Sequence, residues 1–412
     1  MIILYNLLIG AFGVFLKVAA LFNEKAKAFT DGRKNLFNNV SQSVRQHKAP
    51  LIWMHCASLG EFEQGRPILE KLKAEFPQYR VLLTFFSPSG YEVQRNYEKA
   101  DFVFYLPLDT SSNAWRFISI TKPTLAIFVK YEFWYHFCHE LRNQGIPLIS
   151  ISSIFREDQL FFRSYGEFYR SILFTFSHLF VQNNESLSLL KSIGVTHCSR
   201  VGDTRFDRVY QIVMQGEDIP LAEKFKGSED VFVVGSCWPD DMDVLIPFIN
   251  VNGSKLKFII APHEISEEFI TEMEGAIQVK NIRFSRADGI PLEDYRVLII
   301  DNIGMLSRLY RYGNFAFVGG GYSKGLHNIL EAACYGVPIF FGNRQYQKYE
   351  EATQLIKRGG AFEINDYPDL KAKFELLTVP QNFQLACEVT KQYVQENLGA
   401  SERIMKYCRA ML

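Results

Sequence analysis

The chain has 412 residues, which is too long for one ordinary domain and predicts two or three. Hydrophobic residues make up 48% and charged residues 22%, as in folded globular proteins, so a disordered chain is excluded. Basic and acidic residues number 45 each, and the formal net charge is zero. Because no overall positive charge attracts nucleic acid, nucleic acid is not an expected partner.

The N-terminal segment is apolar. Residues 1 to 16 carry no charge, and the apolar run continues past Lys17 to Phe22. No basic residue precedes it, which argues against a cleaved secretory signal. Basic residues follow it, and by the positive-inside rule they keep the body in the cytoplasm. We predict a membrane anchor and basic flank over residues 1–45, either spanning the bilayer or lying in its face. An N-terminal helix docked on the body is the alternative.

From residue 50 onward, short apolar runs alternate with longer amphipathic ones, which predicts βαβ units and parallel sheets. The first series of predicted strands covers residues 51–54, 81–85, 103–105, 125–129, 147–151 and 179–181. The second covers residues 231–235, 257–261, 297–300, 315–318 and 338–341. Predicted helices between the first strands cover residues 61–76, 89–99, 111–118 and 132–143.

The domain boundary is predicted in the polar stretch 210–229, which lacks strand character. We expect an N-terminal Rossmann-like domain over residues 46–212 and a C-terminal one over 213–412, with a last helix able to pack back on the first domain. The predicted fold class is α/β, with two doubly wound domains that face a central cleft. Such domains bind ligands at the carboxyl ends of their strands.

The first candidate site is Ala57-Ser58-Leu59-Gly60-Glu61, which follows the first predicted strand. Gly60 permits close approach there, and N–H groups at a helix start can bind an anion. An ionised Glu61 at a cleft edge is a candidate general base. The structural alternative makes Ser58 a helix N-cap and Glu61 its capping-box partner.

A second acidic residue, Glu132, follows the predicted strand 125–129, so it lies on the same sheet edge as Glu61. Two carboxylates on one rim indicate handling of substrate hydroxyl groups. The alternative is a helix-start charge that complements the helix dipole, with Phe133 and Trp134 in the core.

Glycine-rich sequence follows the predicted strand 315–318. Gly319-Gly320-Gly321 and the segment 325–331 predict a phosphate cradle leading into a helix. His327 and Glu331 are four apart and would share a helix face, with Glu331 accepting from ribose hydroxyls. A structural glycine turn with a surface pair is the alternative. Neither the P-loop nor the G-x-G-x-x-G spacing is present.

Two further loops follow strands of the second series, where a nucleotide would lie. They are Ala261-Pro262-His263-Glu264 and Asp301-Asn302-Ile303-Gly304-Met305. A lone histidine such as His263 is more often structural. The seven cysteines stand singly, with no C-x-x-C pair and no Cys/His cluster, so we expect neither a zinc nor an iron–sulfur site.

Seven collinear segments resemble the 3-deoxy-D-manno-octulosonic acid (Kdo) transferase family. They are residues 53–61, 84–90, 105–109, 130–134, 202–207, 261–263 and 325–331. The sequence departs from the family pattern at three places. Lys130 replaces a Glu, His263-Glu264 stands where many relatives have Arg-His, and Leu326 replaces a Gly.

The resemblance implies a GT-B glycosyltransferase, without a metal or a cofactor, that transfers Kdo from its substrate CMP-Kdo to a lipid A precursor. That acceptor is an acylated, phosphorylated glucosamine disaccharide, met at the cytoplasmic face of the inner membrane. The resemblance implies direct displacement with Glu61 as general base. It implies CMP binding by His263, Glu264, Ile303, Gly304, Met305, Asn328, Ile329, Leu330 and Glu331. Supporting roles fall to Ser58, Gly60, Glu132, Gly320 and His327.

Two other functions fit the same pattern. One is a GT-B transferase that uses a UDP-sugar on a lipid-linked acceptor. The other is a non-catalytic membrane-bound homologue, which the departures at Lys130 and His263 motivate and the presence of Glu61 and Glu331 opposes.

Overall fold

The computed structural model describes residues 1–45 and 48–412, which form two compact units. Unit 1 comprises Met1–Asp207 with Leu398–Leu412, and unit 2 comprises Arg208–Asn397. The boundary lies within the helix Thr204–Gln215, which also contains the predicted boundary after residue 212. The stretch 210–229, which was predicted to lack strand character, contains no strand and is largely helical.

Unit 1 is built on a seven-stranded sheet with strand order β3-β2-β1-β4-β5-β6-β7 and parallel pairing throughout. Its strands are β1 Leu51–Cys56, β2 Arg80–Phe85, β3 Phe102–Tyr105, β4 Leu125–Val129, β5 Leu148–Ser153, β6 His178–Val181 and β7 Cys198–Arg200. Its helices are α1 Ile2–Ala19, α2 Glu24–Asp31, α3 Leu36–Arg45, α4 Leu59–Glu75, α5 Pro88–Gln94, α6 Ser111–Thr121, α7 Tyr135–Asn143, α8 Glu167–Leu173, α9 Asn184–Ser192, the shared α10 Thr204–Gln215 and the C-terminal α19 Ala400–Met411.

Unit 2 repeats this plan with strand order β10-β11-β9-β8-β12-β13-β14, again parallel. Its strands are β8 Val231–Cys237, β9 Lys257–Pro262, β10 Asn281–Arg283, β11 Val297–Ile299, β12 Phe315–Val318, β13 Ile339–Gly342 and β14 Ala361–Ile364. Its helices are α11 Pro220–Lys226, α12 Pro239–Asn252, α13 Glu267–Ala276, α14 Leu306–Leu309, α15 Leu330–Ala333, α16 Glu350–Arg358, α17 Tyr367–Leu377 and α18 Pro380–Asn397.

Each sheet is buried on both faces, which explains the continuous apolar runs in the sequence. All six residues of β1 are buried. Because side chains alternate along a strand, Leu51 and Trp53 enter one core cluster, while Ile52 and Met54 enter the cluster on the opposite face. Helix α19 adds Ile404 and Met405 to the second cluster, so the end of the chain completes unit 1.

Strand order reverses once in each sheet, between β1 and β4 in unit 1 and between β8 and β12 in unit 2. In doubly wound sheets, ligands bind beside the carboxyl ends of the strands at this reversal. The loops that follow these four strands are therefore expected to carry functional residues.

Among the described residues, α1 is the one helix long and apolar enough to cross a membrane, with mean hydropathy 2.0. None of its residues is buried. Its side toward the body bears polar contacts: the Tyr5 hydroxyl donates to Asp109 Oδ2 at 2.5 Å, and His136 Nε2 lies 2.6 Å from Asn6 Oδ1. Helix α1 is therefore docked along unit 1 by one face, and its other face is apolar and exposed.

Candidate functional site

Glu61 lies in the first turn of α4, immediately beyond the carboxyl end of β1. Its Oε2 atom accepts a hydrogen bond of 2.5 Å from the backbone N–H of Ala57. Burial, followed by the negative charge of Glu132, raises the pKa of Glu61 to about 8, although the Ala57 N–H and the charge of Lys130 oppose the shift. A carboxyl with a pKa near neutrality is suited to exchange protons with a substrate hydroxyl.

The capping-box alternative for Ser58 and Glu61 is not what the structure forms. Ser58 occupies the N-cap position of α4, but its side chain makes no capping hydrogen bond. A Cβ atom added at Gly60 would meet nothing within 4 Å, so the protein's own packing does not require glycine there. The close approach that Gly60 was predicted to permit is not made by the protein itself, and Gly60 leaves open space one residue before Glu61.

Glu132 lies in the loop between β4 and α7, since α7 begins only at Tyr135. The predicted helix start at residue 132 is therefore wrong, and with it the helix-dipole alternative. The buried carboxylate is held by two N–H donors: Oε2 lies 2.9 Å from His55 Nε2 and 2.6 Å from Trp134 Nε1. These donors fix the second carboxylate at the same strand reversal as Glu61.

The His55–Glu132 pair continues into the core. The His55 Nδ1 atom lies 2.9 Å from the Thr84 hydroxyl, which also accepts a hydrogen bond of 2.8 Å from Trp53 Nε1. All three of these side chains are buried. The network joins β1, β2 and the loop after β4, so the position of Glu132 depends on three segments of the sheet.

Lys130, the residue that departs from the family pattern, has a left-handed backbone with φ of 68°. Its N–H donates to Ile151 O at 2.9 Å, and its carbonyl accepts from Ser153 Oγ at 3.0 Å. The Lys130 ammonium lies 5.3 Å from the centre of the Tyr131 ring. Its positive charge acts on Glu61 and lowers the pKa of that carboxyl, partly offsetting Glu132.

In unit 2, the glycine run after β12 packs closely against neighbouring backbone segments and does not form a phosphate cradle. The Gly319 N–H donates to Gly235 O, and the Gly320 N–H donates to Asp241 Oδ2, both at 2.9 Å. A Cβ atom on Gly321 would lie 2.4 Å from the carbonyl oxygen of Gly342. The predicted cradle is wrong at Gly319 and Gly320 because their N–H groups are already used within the protein.

Asp241 is the acidic residue that joins the two strands at this reversal. Its Oδ2 atom accepts from the N–H groups of Trp238 and Gly320, at 2.8 and 2.9 Å. Burial raises the pKa of Asp241 to about 6 against these two N–H groups, which lower it. The side chain thus ties the start of α12 to the glycine run.

His327 precedes α15, and this helix has only four residues and begins at Leu330. The expectation that His327 and Glu331 share a helix face is wrong, because the positive φ values of Gly320 and Gly325 lead the chain through an irregular segment first. Asn328 and Ile329 also precede the helix. The Asn328 amide donates to Glu331 Oε1 at 3.2 Å, so these two side chains do meet.

Three aromatic rings stack beside this segment. The His263 ring lies 4.6 Å from Trp238 and 4.3 Å from His327, at interplanar angles of 28° and 25°. Trp238 Nε1 donates to His327 Nε2 at 2.9 Å. Burial, then the neighbouring His263, lowers the pKa of His327 to about 4, so at neutral pH its hydrogen is carried on Nδ1.

The predicted donor-binding residues gather at the carboxyl ends of β9, β11 and β12. His263 and Glu264 are exposed, and His263 joins the aromatic stack. Ile303 is 88% exposed on the loop after β11, where Gly304 has φ of 94° and Met305 precedes α14. Leu330 and Ile329 are buried, so these two side chains pack in the protein.

Sequence reasoning did not single out His55, Trp238 or Asp241. His55 is a polar residue inside an otherwise apolar strand, which is a usable signal of a buried hydrogen-bond partner. Trp238 and Asp241 stand at a strand-to-helix junction marked by Pro239. Among residues 1–45 and 48–412, no group of three or more His, Cys, Asp or Glu side chains could hold a metal ion.

Comparison with solved structures shows the class of fold. UDP-GlcNAc 2-epimerase from Neisseria meningitidis bound to UDP-GlcNAc superimposes with a TM-score of 0.60 and 12% identity, over 86% of this chain and 98% of its own. Acinetobacter baumannii MurG gives a TM-score of 0.55 and 10% identity, over 88% and 99%. At these identities the likeness is one of fold alone. Each unit contains one parallel, doubly wound sheet, and the chain has the GT-B class of fold.

Sequence comparison finds similarity to one group of enzymes. The family model of 3-deoxy-D-manno-octulosonic-acid transferase (kdotransferase) matches residues 32–208. The Kdo transferase of Aquifex aeolicus is 29% identical over 356 residues, covering 84% of this chain and 90% of its own length. That of Rickettsia bellii is 25% identical over 366 residues, covering 88% and 86%. The chain is therefore similar to Kdo transferases over most of its length, and the family model covers most of unit 1.

Proposed function

We propose that the protein transfers Kdo from CMP-Kdo to an acylated, phosphorylated glucosamine disaccharide, with Glu61 as the general base. The observation that carries this proposal is the Glu61 carboxyl, with a pKa raised to about 8, at the strand reversal of unit 1. A base with a pKa of about 8 is half ionised at about pH 8, and its ionised form accepts a proton as the acceptor hydroxyl attacks.

The proposed reaction is a direct displacement. The acceptor oxygen forms a bond to the anomeric carbon of Kdo, and the bond from that carbon to the phosphate oxygen breaks. CMP leaves with the electron pair, and the hydroxyl proton passes to Glu61. Glu132 contributes by its charge, because it raises the pKa of Glu61, and its own position is fixed by His55 and Trp134.

CMP is proposed to bind at the aromatic stack of unit 2. The flat rings of His263 and Trp238 offer a face for the cytosine base, as stacking on aromatic side chains is favourable for every base. The Nδ1–H of His327 is a donor for phosphate, and the Lys324 ammonium, 5.3 Å from the Trp238 ring centre, adds positive charge. Glu331, bonded to Asn328, is the acceptor proposed for ribose hydroxyls. These protein groups offset the leaving charge, and the proposal includes no metal.

The reaction is proposed to take place at the cytoplasmic face of the inner membrane, with α1 as the anchor. Its exposed face is apolar, and basic residues follow it in the sequence. Such a helix is attracted both to hydrocarbon and to anionic headgroups. Deletion of residues 2–19 is expected to release the protein from membranes on fractionation.

Turnover with purified, detergent-solubilised protein tests the proposal. The protein is mixed with CMP-Kdo and a tetra-acylated disaccharide phosphate, with and without a chelator, and CMP release and product mass are followed. We expect a product heavier by one or more Kdo units, with no effect of the chelator. Product formed from a UDP-sugar in place of CMP-Kdo would favour the UDP-sugar alternative. Donor binding without product from any acceptor would favour the non-catalytic alternative.

A further inference from the structure

A cavity of about 580 Å³ lies in unit 1 beside the C-terminal half of α1. Its walls come from α1, α2, α3 and the segment that follows β3. Apolar lining side chains are Leu16, Phe29, Leu36, Phe37, Pro107 and Leu108. The volume is in the usual range of ligand pockets, about 300–1,000 Å³. The cavity is large and apolar enough to take a hydrocarbon chain.

The charged side chains around the cavity are mostly basic: Lys17, Arg33 and Lys34, with Asp31 as the acid. Lys34 Nζ lies 2.7 Å from Asp31 Oδ1, so those two charges offset each other. Lys17, in the last turn of α1, forms no ion pair within the described chain. The remaining charge at the cavity is positive.

Arg33 provides the second positive charge, and three backbone carbonyl groups hold its guanidinium. Its Nε, Nη1 and Nη2 atoms donate to the carbonyls of Leu106, Phe29 and Phe86, at 2.8, 2.9 and 2.7 Å. Its guanidinium also lies 3.5 Å from the centre of the Phe29 ring. Carbonyls and rings orient a guanidinium without neutralising it, so the site favours an anionic group.

The cavity lies beside α1, whose outer face is apolar and exposed. Helix α1 is fastened to unit 1 at Tyr5 and again at Gly13, where an added Cβ atom would lie 2.8 Å from Leu108 Cδ1. Val14 and Phe15, on the other side of the helix, are 63% and 65% exposed. A helix bound along its length in this way lies against the body with its apolar outer face exposed, and its inner face lines the cavity.

The cavity also lies near the carboxyl ends of the strands of unit 1, where Glu61 lies. Arg33 binds the carbonyls of Phe86 and Leu106, which directly follow β2 and β3. Strands β3, β2 and β1 are neighbours, and Glu61 follows β1. Adjacent strands are about 4.8 Å apart, so Arg33 is about 5–10 Å along the edge from the strand that leads to Glu61. One amphiphile can therefore reach both places.

We propose that this cavity receives an acyl chain of the lipid acceptor, with an acceptor phosphate near Lys17 and Arg33. The proposal rests on the proposed function, since it names the part of the protein that recognises the lipid half of the acceptor. Its consequence is that acyl-chain length determines acceptor affinity, while the sugar alone meets Glu61.

Two variants fill the cavity from opposite walls: Leu16→Trp on α1 and Thr30→Phe on α2. The matched control is Val14→Trp, which adds the same ring to the exposed face of α1. Melting temperature checks that each variant is folded. Acceptors with one disaccharide phosphate and acyl chains of decreasing length, down to a deacylated form, are compared in neutral detergent micelles. Acceptor Kd is measured without CMP-Kdo, and KM and kcat are measured with it.

In the wild-type protein and in Val14→Trp, Kd and KM should fall as the chains lengthen. Each buried methylene is worth about a fourfold change in affinity, so excluding two or three of them raises Kd about 15- to 60-fold. Both filling variants should show that rise for long-chain acceptors and no change for the deacylated one. Kd values of folded filling variants that match wild type across the series would overturn the proposal.

Two other outcomes would also overturn it. An equal loss of affinity for acylated and deacylated acceptors would show that the cavity does not bind the acyl chain. Stimulation of the wild-type protein by added phosphatidylglycerol, lost in the filling variants, with no chain-length effect, would assign the cavity to a bilayer lipid. Absence of Kdo transfer by the wild-type protein with a normal chain-length series in Kd would instead refute the proposed function and leave the cavity assignment standing.

Discussion

The Nε2 atom of His55 lies 2.9 Å from Oε2 of Glu132, and both side chains are buried at neighbouring strands β1 and β4. A buried carboxylate is stable only with hydrogen-bond donors around it. Glu132 has N–H groups of His55 and Trp134 at its Oε2 atom. The charge so fixed acts on Glu61. A structural hydrogen bond in the core is therefore linked to the acidity of the candidate base.

Replacement of His55 by Phe should destabilise unit 1. Glu132 would lose a buried donor, which costs about 1–3 kcal/mol. Differential scanning calorimetry should show a lower transition temperature for His55→Phe. The control is His139→Gln, because the hydrogen bond of the His139 ring stays within its own helix, at the carbonyl of Tyr135. An unchanged melting curve for His55→Phe would contradict the role given to this pair.

The pH dependence of the wild-type reaction should follow Glu61. A base acts in its ionised form, so kcat/KM should rise with pH and level off above about 8, the pKa to which burial and Glu132 raise that carboxyl. The measurement is kcat/KM from pH 5 to 10 at saturating donor. A profile already flat from pH 5 would exclude a base with this pKa.

Two substitutions should move that pH profile in opposite directions. Glu132→Gln removes a negative charge that raises the pKa of Glu61, so the rising limb should shift to lower pH. Lys130→Met removes a positive charge that lowers the same pKa, so the limb should shift to higher pH. The midpoint of the limb is the readout, because a change in rate alone could follow from altered packing. Shifts in the same direction for both variants would refute the electrostatic account.

The close approach of Gly321 to the backbone of Gly342 in unit 2 predicts that a larger residue at position 321 destabilises the protein. In Gly321→Ala the new methyl group would lie 2.4 Å from the Gly342 carbonyl oxygen, and crowding of this kind typically costs about 1–3 kcal/mol. The matched control is Gly275→Ala within α13, where nothing lies within 4 Å. This control should gain about 0.5–1 kcal/mol from helix propensity. Thermal unfolding that ranks the two variants the other way would contradict the close approach.

The sequence predicted the buried central strands well and the sheet edges poorly. Strands β4 and β12 occur at the predicted residues, because a short continuous apolar run is typical of a strand that is buried on both faces. Strands β7, β10 and β14 were missed. They are edge strands of three or four residues in which polar and apolar residues mix, so no apolar run marks them.

The candidate site was predicted where it depends on position along a strand and missed where it depends on pairing across the sheet. Glu61 and Glu132 each follow a strand, and that order is written in the sequence. The bond from His55 to Glu132 joins residues 77 apart, and strand order brings them together. The path of His327 was predicted wrongly because the left-handed backbone at Gly320 and Gly325 delays the helix.

Single-turnover transfer by Glu61→Gln tests the central claim most directly. Glutamine keeps the size of the side chain and an oxygen for the Ala57 N–H but cannot take the proton, so the rate should fall about 10²–10⁴-fold. Glu63→Gln, two residues further along α4, is the matched control and should keep the wild-type rate. Binding of CMP should be unchanged in both variants. A Glu61→Gln protein that transfers Kdo at the wild-type rate would contradict the assignment of Glu61 as the base.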